Sequence, residues 1–531
     1  MACINDPHNN KYLRKFFKSL QTTSFKKYNE NIAKAILILL SKPNLLRPIQ
    51  LSYAIFSLLK KHPKIIDILN NFHKLNEEPY QENIIEKIKD IELLRKYIEL
   101  APITDIQFET IMSRLRSLII KKQLKNYSTD LNLTTSLSIQ CFVNEYVFYE
   151  SEEDTSNILE LEKKIEKEFE SQEKLYINNI IALSLFRPIS KYKWVEKIDS
   201  KNLDDRIKKL FKIQIEEVFK EATISKSIKK IKIISNDVSK LVRNQYEENP
   251  YPRWIKTGFP EKSISLEDLN ESLSLQKNKN KYQNKKITKV LIAGCGTGQQ
   301  SIVSSKRYKN SQITAIDLSL KSLSYAIRKT KEYGINNINY LHGDILDLET
   351  LNGKFDIIES AGVLHHMDDP IKGWKKLIDK LAPNGLMMIG LYSKIAREDI
   401  NTVRSNISKD NIPSTQNGIR MFRALKINNW LINNPSITVS RDFFTLSECR
   451  DLFFHVKEHS FDLLQIKEIL GNLNLKFLGF VSYAKLRSFT KDYPERSSLY
   501  SLDLWHEFEL NNRSAFSGMY QFWVKKIISE N

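Results

Sequence analysis

The run Val290-Leu-Ile-Ala-Gly-Cys-Gly-Thr-Gly298 constrains this chain more than any other. An apolar stretch that stops at a glycine-rich turn reads as a buried strand of a parallel sheet covered on both faces. Gly294, Gly296 and Gly298 lack a Cβ, so the backbone can take positive φ there and let a ligand approach its N–H groups. The next strand-like run, Gln312-Ile-Thr-Ala-Ile-Asp317, ends in an acid 19 residues after Gly298. That spacing suits a carboxylate that grips a ribose. An adenosine-bearing cofactor at the top of a parallel sheet is therefore expected.

From residue 287 onward strand and helix patterns alternate. Strands are expected at 287–293, 312–317, 338–341, 355–360 and 386–392, with helices between them, such as Leu320 to Tyr333 and Pro370 to Leu381. Such alternation implies an α/β, doubly wound, Rossmann-like sheet. Two further strand-like runs follow, Leu475 to Ser482 and Met519 to Val524, and a helical insertion at about 395–450 is expected to roof the site. Residues 1–235 show apolar residues at helical spacing and few strand signals, so an all-α N-terminal domain is expected. No convincing 34-residue repeat emerges from it. Between the two, 236–286 is expected to connect. Residues near 225–240 read as a helix, Gln245 to Trp254 as a Tyr/Pro/Trp strap that its prolines keep from being helical, and Leu275 to Lys286 as an exposed basic loop.

The glycine turn excludes two cofactor classes. Position 299 is Gln, so the third glycine of a dinucleotide fingerprint is missing, and no G-x-x-x-x-G-K-[ST] phosphate loop is present. Residues 288–392 resemble the class I S-adenosylmethionine-dependent methyltransferases. The resemblance rests on the glycine loop, on Asp317, on Gly343-Asp344, on Phe355-Asp-Ile-Ile-Glu-Ser-Ala-Gly-Val-Leu-His-His366 and on Leu381-Ala-Pro-Asn-Gly-Leu386. It implies S-adenosyl-L-methionine as cofactor. The implied binding residues are Ala293, Gly294, Cys295, Gly296, Gly298, Asp317, Leu318, Asp344, Ile345, Ser360 and Ala361. In that reading Asp317 takes the ribose hydroxyls, Asp344 the adenine amino group, Ile345 packs on the ring, and Ser360 and Ala361 line the methionine side. Many members carry an acid before the first glycine; here Ala293 stands there, so another group must meet the cofactor's ammonium. The strap and the run Cys449 to His459 are similar to a bacterial subset with helical N-terminal extensions, often tetratricopeptide-like.

The acceptor is far less visible. Tyr251, Arg253, Trp254, His455 and His459 are candidates for the substrate pocket or a lid, and His366 for taking a proton from a substrate. His455 and His459, four apart, are expected on one helix face, but no third ligand marks a zinc site and no metal is expected. Four scattered cysteines and the lack of a signal peptide or a long apolar span point to a reducing, cytoplasmic setting without membrane contact. The net charge is +19, yet acids are interspersed with the lysines and no Arg-rich stripe appears, so nucleic acid is not the expected partner. The reading is methyl transfer to an N, O, S or C nucleophile of a small molecule or protein, with a protein partner for the helical domain possible in principle. Two other readings stay open, an RNA methyltransferase and an inactive, partner-binding scaffold.

Overall fold

A computed structural model of the chain describes residues 2–171, 177–198, 203–273, 286–430, 440–481 and 483–527. The basic loop expected from Leu275 lies outside these residues except for Lys286. Two compact units result. The first comprises Met1–Lys220, Arg253–Phe259 and Asn411–Leu452; the second comprises Glu221–Pro252, Pro260–Asp410 and Phe453–Asn531.

The first unit is helical throughout its described residues. Its helices start where the sequence supplies caps. Asp105 accepts from the N–H groups of Gln107 and Phe108 to open Ile106–Leu124, and Ser151 with Asp154 forms a capping box that opens Glu152–Glu170. The charge run that starts at Glu160 lies on this second helix, with Leu161 and Ile165 turned inward. The insertion expected at about 395–450 does not belong as a whole to the sheet unit. Its part Asn411–Leu452 clusters with the N-terminal helices. A set of buried arginines helps hold it there. Arg423 donates to both carboxylate oxygens of Glu109 at 3.0 and 2.9 Å, and to the carbonyls of Phe443 and Val147. Arg420 donates to Tyr146 O at 2.7 Å and pairs with Glu150 at 3.0 Å. Sequence periodicity cannot reveal such pairings across 300 residues of chain.

The second unit is built on seven strands: β1 Thr288–Ala293, β2 Ser311–Asp317, β3 Ile338–His342, β4 Phe355–Ala361, β5 Leu381–Leu391, β6 Leu475–Phe480 and β7 Tyr520–Lys526. Their order is β3-β2-β1-β4-β5-β7-β6. The first five pair in parallel, as the alternation predicts, and β7 runs antiparallel between β5 and β6. Successive residues of β1 feed opposite faces. Leu291 and Ala293 join a core with Ile358, Trp374, Leu377 and Trp505, whereas Val290 and Ile292 join one with Ile313, Ala315 and Leu323. Burying each larger side chain contributes roughly 1.5–3 kcal/mol. Strand order reverses between β1 and β4, which opens a crevice at their carboxyl ends. The helix expected near 225–240 is interrupted. Glu217–Ser225 and Asp237–Glu248 are helical, but Lys230 bridges the edge of β3 between them.

Candidate cofactor site

The turn after β1 is shaped by three glycines with φ of 77°, 50° and 81° at 294, 296 and 298. The protein itself requires each of them. A Cβ on Gly294 would lie 2.3 Å from a Val363 methyl, one on Gly296 2.6 Å from Tyr251 O, and one on Gly298 2.5 Å from Ala326 Cβ. Beside close approach of a ligand, the glycines therefore answer an intramolecular demand. Ala293 is fully buried at the end of β1 and Cys295 is buried in the turn. The N–H groups of Gly294 and Cys295 donate to Ile316 O, so the turn is pinned to β2.

Asp317 closes β2 and accepts from Gly296 N at 2.7 Å and Ser319 N at 2.9 Å. It ties the glycine turn to the next helix. Its side chain keeps some exposure, but desolvation outweighs these donors and pushes the carboxyl up to about 6. Leu318 follows, and its carbonyl faces His342 Nε2 at 2.9 Å. Asp344 is buried and caps the turn Ile345–Thr350 by accepting from Leu346 N at 3.0 Å, with burial again raising its carboxyl. Ile345 packs into the core beside β4. Ser360 is fully buried at the carboxyl end of β4, and its Oγ has no hydrogen-bond partner. Ala361 packs against Gly390, where a Cβ would lie 2.8 Å from Ala361 Cα. An acid closes β2, a second follows β3, and the orphaned hydroxyl lies at the end of β4, all at the carboxyl edge of the parallel strands. Two acids and an unsatisfied hydroxyl on this edge suit a ligand rich in N–H and O–H donors, which an adenosyl sulfonium is.

Sequence reasoning missed Glu359. This acid, fully buried inside β4, accepts from Gln300 Nε2 at 2.8 Å, Ser304 Oγ at 2.7 Å, Arg307 Nη1 at 3.4 Å and the Tyr308 hydroxyl. It anchors the helix Gln299–Arg307 that the glycine turn opens. An acid within the apolar run Phe355-Asp-Ile-Ile-Glu was the available signal.

The expected strap is helical in its first residues, 245–248, which end the helix Asp237–Glu248; the prolines keep only the part beyond it extended. Tyr251 O accepts from Thr297 N at 3.3 Å, and Pro252 O accepts from the Thr297 hydroxyl, so the strap lies on the glycine turn. Tyr246 O accepts from Ser319 Oγ at 3.2 Å. Arg253 and Trp254 fall in the first unit, where the Arg253 guanidinium lies 4.1 Å over the Phe142 ring and Trp254 is buried. Tyr251, His455 and His459 fall in the second.

His455 and His459 do not share a helix face. The helix ends at Phe453, and 454–461 has no regular structure. Its main chain bonds to the loops after β4 and β5 rather than to itself. His459 N donates to His365 O at 2.8 Å, Phe461 N to Tyr392 O at 2.9 Å, and Lys394 N to Phe461 O at 2.8 Å. A histidine cluster results. His366 stacks on His455 with ring centroids 3.6 Å apart, and His365 stacks on Tyr392 at 3.9 Å. Tyr246 Oη lies 3.2 Å from His455 Nε2, His366 Nδ1 lies 2.9 Å from Lys457 O, and His459 Nε2 lies 3.1 Å from Met367 O. Burial pushes the His365 and His455 imidazoles well below the ordinary histidine range. Glu458 holds Arg397 and Arg404 beside them. Gly294 packs on Val363, so the turn that carries His365 and His366 begins against the glycine loop.

A family model described as a methyltransferase domain matches residues 290–385. This part of the chain is a class I S-adenosylmethionine-dependent methyltransferase domain. S-adenosyl-L-methionine is accordingly the cofactor of the domain. An uncharacterized protein of Synechococcus sp. is 29% identical over 243 residues, or 42% of this chain and 56% of that protein. A demethylmenaquinone methyltransferase of Staphylococcus haemolyticus is 27% identical over 150 residues, or 27% of this chain and 62% of that enzyme. The chain therefore spans less than two thirds of the length of either relative. Among solved structures, PKMT2 from Rickettsia typhi in complex with AdoHcy is 19% identical with a TM-score of 0.35, over 45% of this chain and 49% of that one. Among the described residues, no helix is long and apolar enough to cross a membrane.

Proposed function

We propose that the chain is an enzyme that transfers a methyl group to an N, O, S or C nucleophile of a small molecule or protein. The observation that carries this reading is the Asp317 carboxylate, which orders the glycine turn through Gly296 N at 2.7 Å from the carboxyl end of β2. When bound, S-adenosyl-L-methionine supplies an electrophilic methyl on sulfur. The protein's task is then to align an acceptor in line with that methyl and to exclude water. Asp317 and Asp344 would hold the adenosine, and Gly294, Gly296 and Ser360 the methionine side. The acceptor would lie by His365, His366, His455 and His459, beyond the ends of β4 and β5. His366 would take the acceptor's proton where the nucleophile must lose one. A reducing, cytoplasmic setting is supported by the four cysteines, all buried and unpaired.

Calorimetry with S-adenosylhomocysteine tests the cofactor assignment directly. Micromolar binding abolished by Asp317→Ala is expected, and no binding by the wild type would end the reading. A labelled-methyl assay on lysate of a strain lacking the protein then sorts the acceptor into small molecule, protein or RNA. The net charge of +19 favours RNA as the second reading. A salt-dependent gel shift decides it, since phosphate contacts weaken steeply with salt. No shift at low salt is expected.

A further inference from the structure

We infer that Glu247 is a positioning residue for the cofactor: its carboxylate closes the N-terminus of the helix that follows Asp317 and so fixes the turn that presents this acid. The inference rests on S-adenosyl-L-methionine being the cofactor. Glu247 lies in the last turn of the helix Asp237–Glu248, and its partners follow β2 in the same unit. Ser239, earlier on that helix, lies against the Asp344 carboxyl. One helix thus backs both acids assigned to the adenosine.

A helix leaves its first N–H groups without partners inside itself. In the helix Leu320–Glu332 these groups are met from outside its ladder. Leu320 N and Lys321 N both donate to Glu247 Oε1, the second at 3.4 Å, and Ser322 N donates to Ser319 Oγ at 3.1 Å. Ser319 in turn donates its N–H to Asp317 Oδ1 at 2.9 Å and its hydroxyl to Tyr246 O at 3.2 Å. The turn after β2 is therefore stitched to Asp317 on one side and to two consecutive residues of the strap helix, Tyr246 and Glu247, on the other. The other Asp317 oxygen holds Gly296 N, so a shift of this turn also reaches the glycine loop. A carboxylate on helix N–H groups makes charge-assisted bonds, and the helix dipole favours it there. The same carboxylate opposes the grip in one respect. Enclosure is the main reason that the Asp317 carboxyl is pushed up to about 6, and the Glu247 charge pushes it the same way. The other titratable groups beside Asp317 are the Cys295 thiol, which burial and the Asp317 charge raise, and His342, its register partner on β3, whose imidazole burial lowers. Both are neutral near pH 7. Lys230 and Arg243 act on the His342 ring. At pH 7.5 Asp317 is ionised with or without Glu247, so holding the turn dominates. Near pH 6 the repulsion counts.

Two variants separate the bond from the charge. Glu247→Gln keeps an oxygen for Leu320 N and Lys321 N and removes the charge, whereas Glu247→Ala removes both. Calorimetry with S-adenosylhomocysteine at pH 7.5 should show about tenfold weaker binding for Glu247→Ala and near wild-type binding for Glu247→Gln; tenfold is the scale of one charge-assisted hydrogen bond. The pH at which affinity falls should lie lower for Glu247→Gln than for the wild type, because losing the neighbouring charge makes Asp317 easier to ionise. A residue that merely props the fold would not move that profile. Thermal midpoints without ligand control for folding; should Glu247→Ala not fold, the pH profile of Glu247→Gln decides alone. Wild-type affinity in Glu247→Ala overturns the inference. So does a Glu247→Gln variant that binds as weakly as Glu247→Ala, or one that keeps the wild-type pH profile. If the wild type itself fails to bind, the cofactor assignment falls and this inference with it; wild-type binding that both variants share removes the inference alone.

Discussion

At the scale of single residues, Asp317 shows how the site is held in a state that folding alone would not favour. Enclosure pushes its carboxyl up to about 6, even though Gly296 N and Ser319 N both donate to it. A folded-state value above the unfolded one means that this group adds stability at low pH and loses that contribution as pH rises through about 6. The ionised form therefore opposes folding at neutral pH. For a hydroxyl-bearing ligand the sign is reversed, because a carboxylate is a stronger acceptor than its protonated form. Affinity for S-adenosylhomocysteine should be level at pH 7.5 and fall as pH drops through about 6. The slope approaches tenfold per unit, since one proton competes with the ligand. Calorimetry across this range at constant ionic strength measures it, and a level profile down to pH 5 would remove Asp317 from the grip.

At the scale of elements, the helix Gln299–Arg307 owes its placement to the acid beneath it. Glu359 collects donors from Gln300, Ser304, Arg307 and Tyr308. Glu359→Ala leaves several buried donors without a partner and should cost about 3 kcal/mol or more in denaturant unfolding of this unit. Glu359→Gln should recover part of that loss, because its oxygen still accepts. An Ala variant within 1 kcal/mol of wild type would show the network to be incidental. This network also marks what could be read from the sequence. The first four strands were legible because each is an apolar run closed by Gly, Asp or His, and Asp317 was legible by its distance from Gly298. The acid inside β4 makes sense only once a helix brings donors to it. The direction of β7 was not legible, since alternation in Tyr520–Lys526 is the same for either orientation. Phe453, Phe454 and Val456 mimic a helical stripe, but the backbone beyond Phe453 takes its partners from the loops after β4 and β5, and that competition is tertiary.

At the scale of the whole molecule, part of the charge is spent inside the fold rather than on its surface. In the helical unit Arg116, Arg420 and Arg423 are buried and spent on carbonyls or acids. The same arginines decide which part of the chain belongs to which unit. The segment Asn411–Leu452 follows the last parallel strand, yet Arg423 ties it to Glu109 on the helix Ile106–Leu124, with side chains only 2% and 10% exposed. A pair this deeply enclosed is costly to break, because removing one partner strands the other charge. Arg423→Ala should therefore destabilise the helical unit by about 3–5 kcal/mol. The double variant Arg423→Met with Glu109→Leu should regain most of that, because no charge is left unpaired. Denaturant unfolding followed by circular dichroism, which weights the helices, is the measurement. Binding of S-adenosylhomocysteine by each full-length variant under native conditions controls for gross misfolding. If the single variant unfolds at the wild-type midpoint, the arginine is not what assigns this segment to the helices. If the double variant is no more stable than the single, the loss comes from the carbonyls of Phe443 and Val147 that Arg423 also holds, and the acid is secondary.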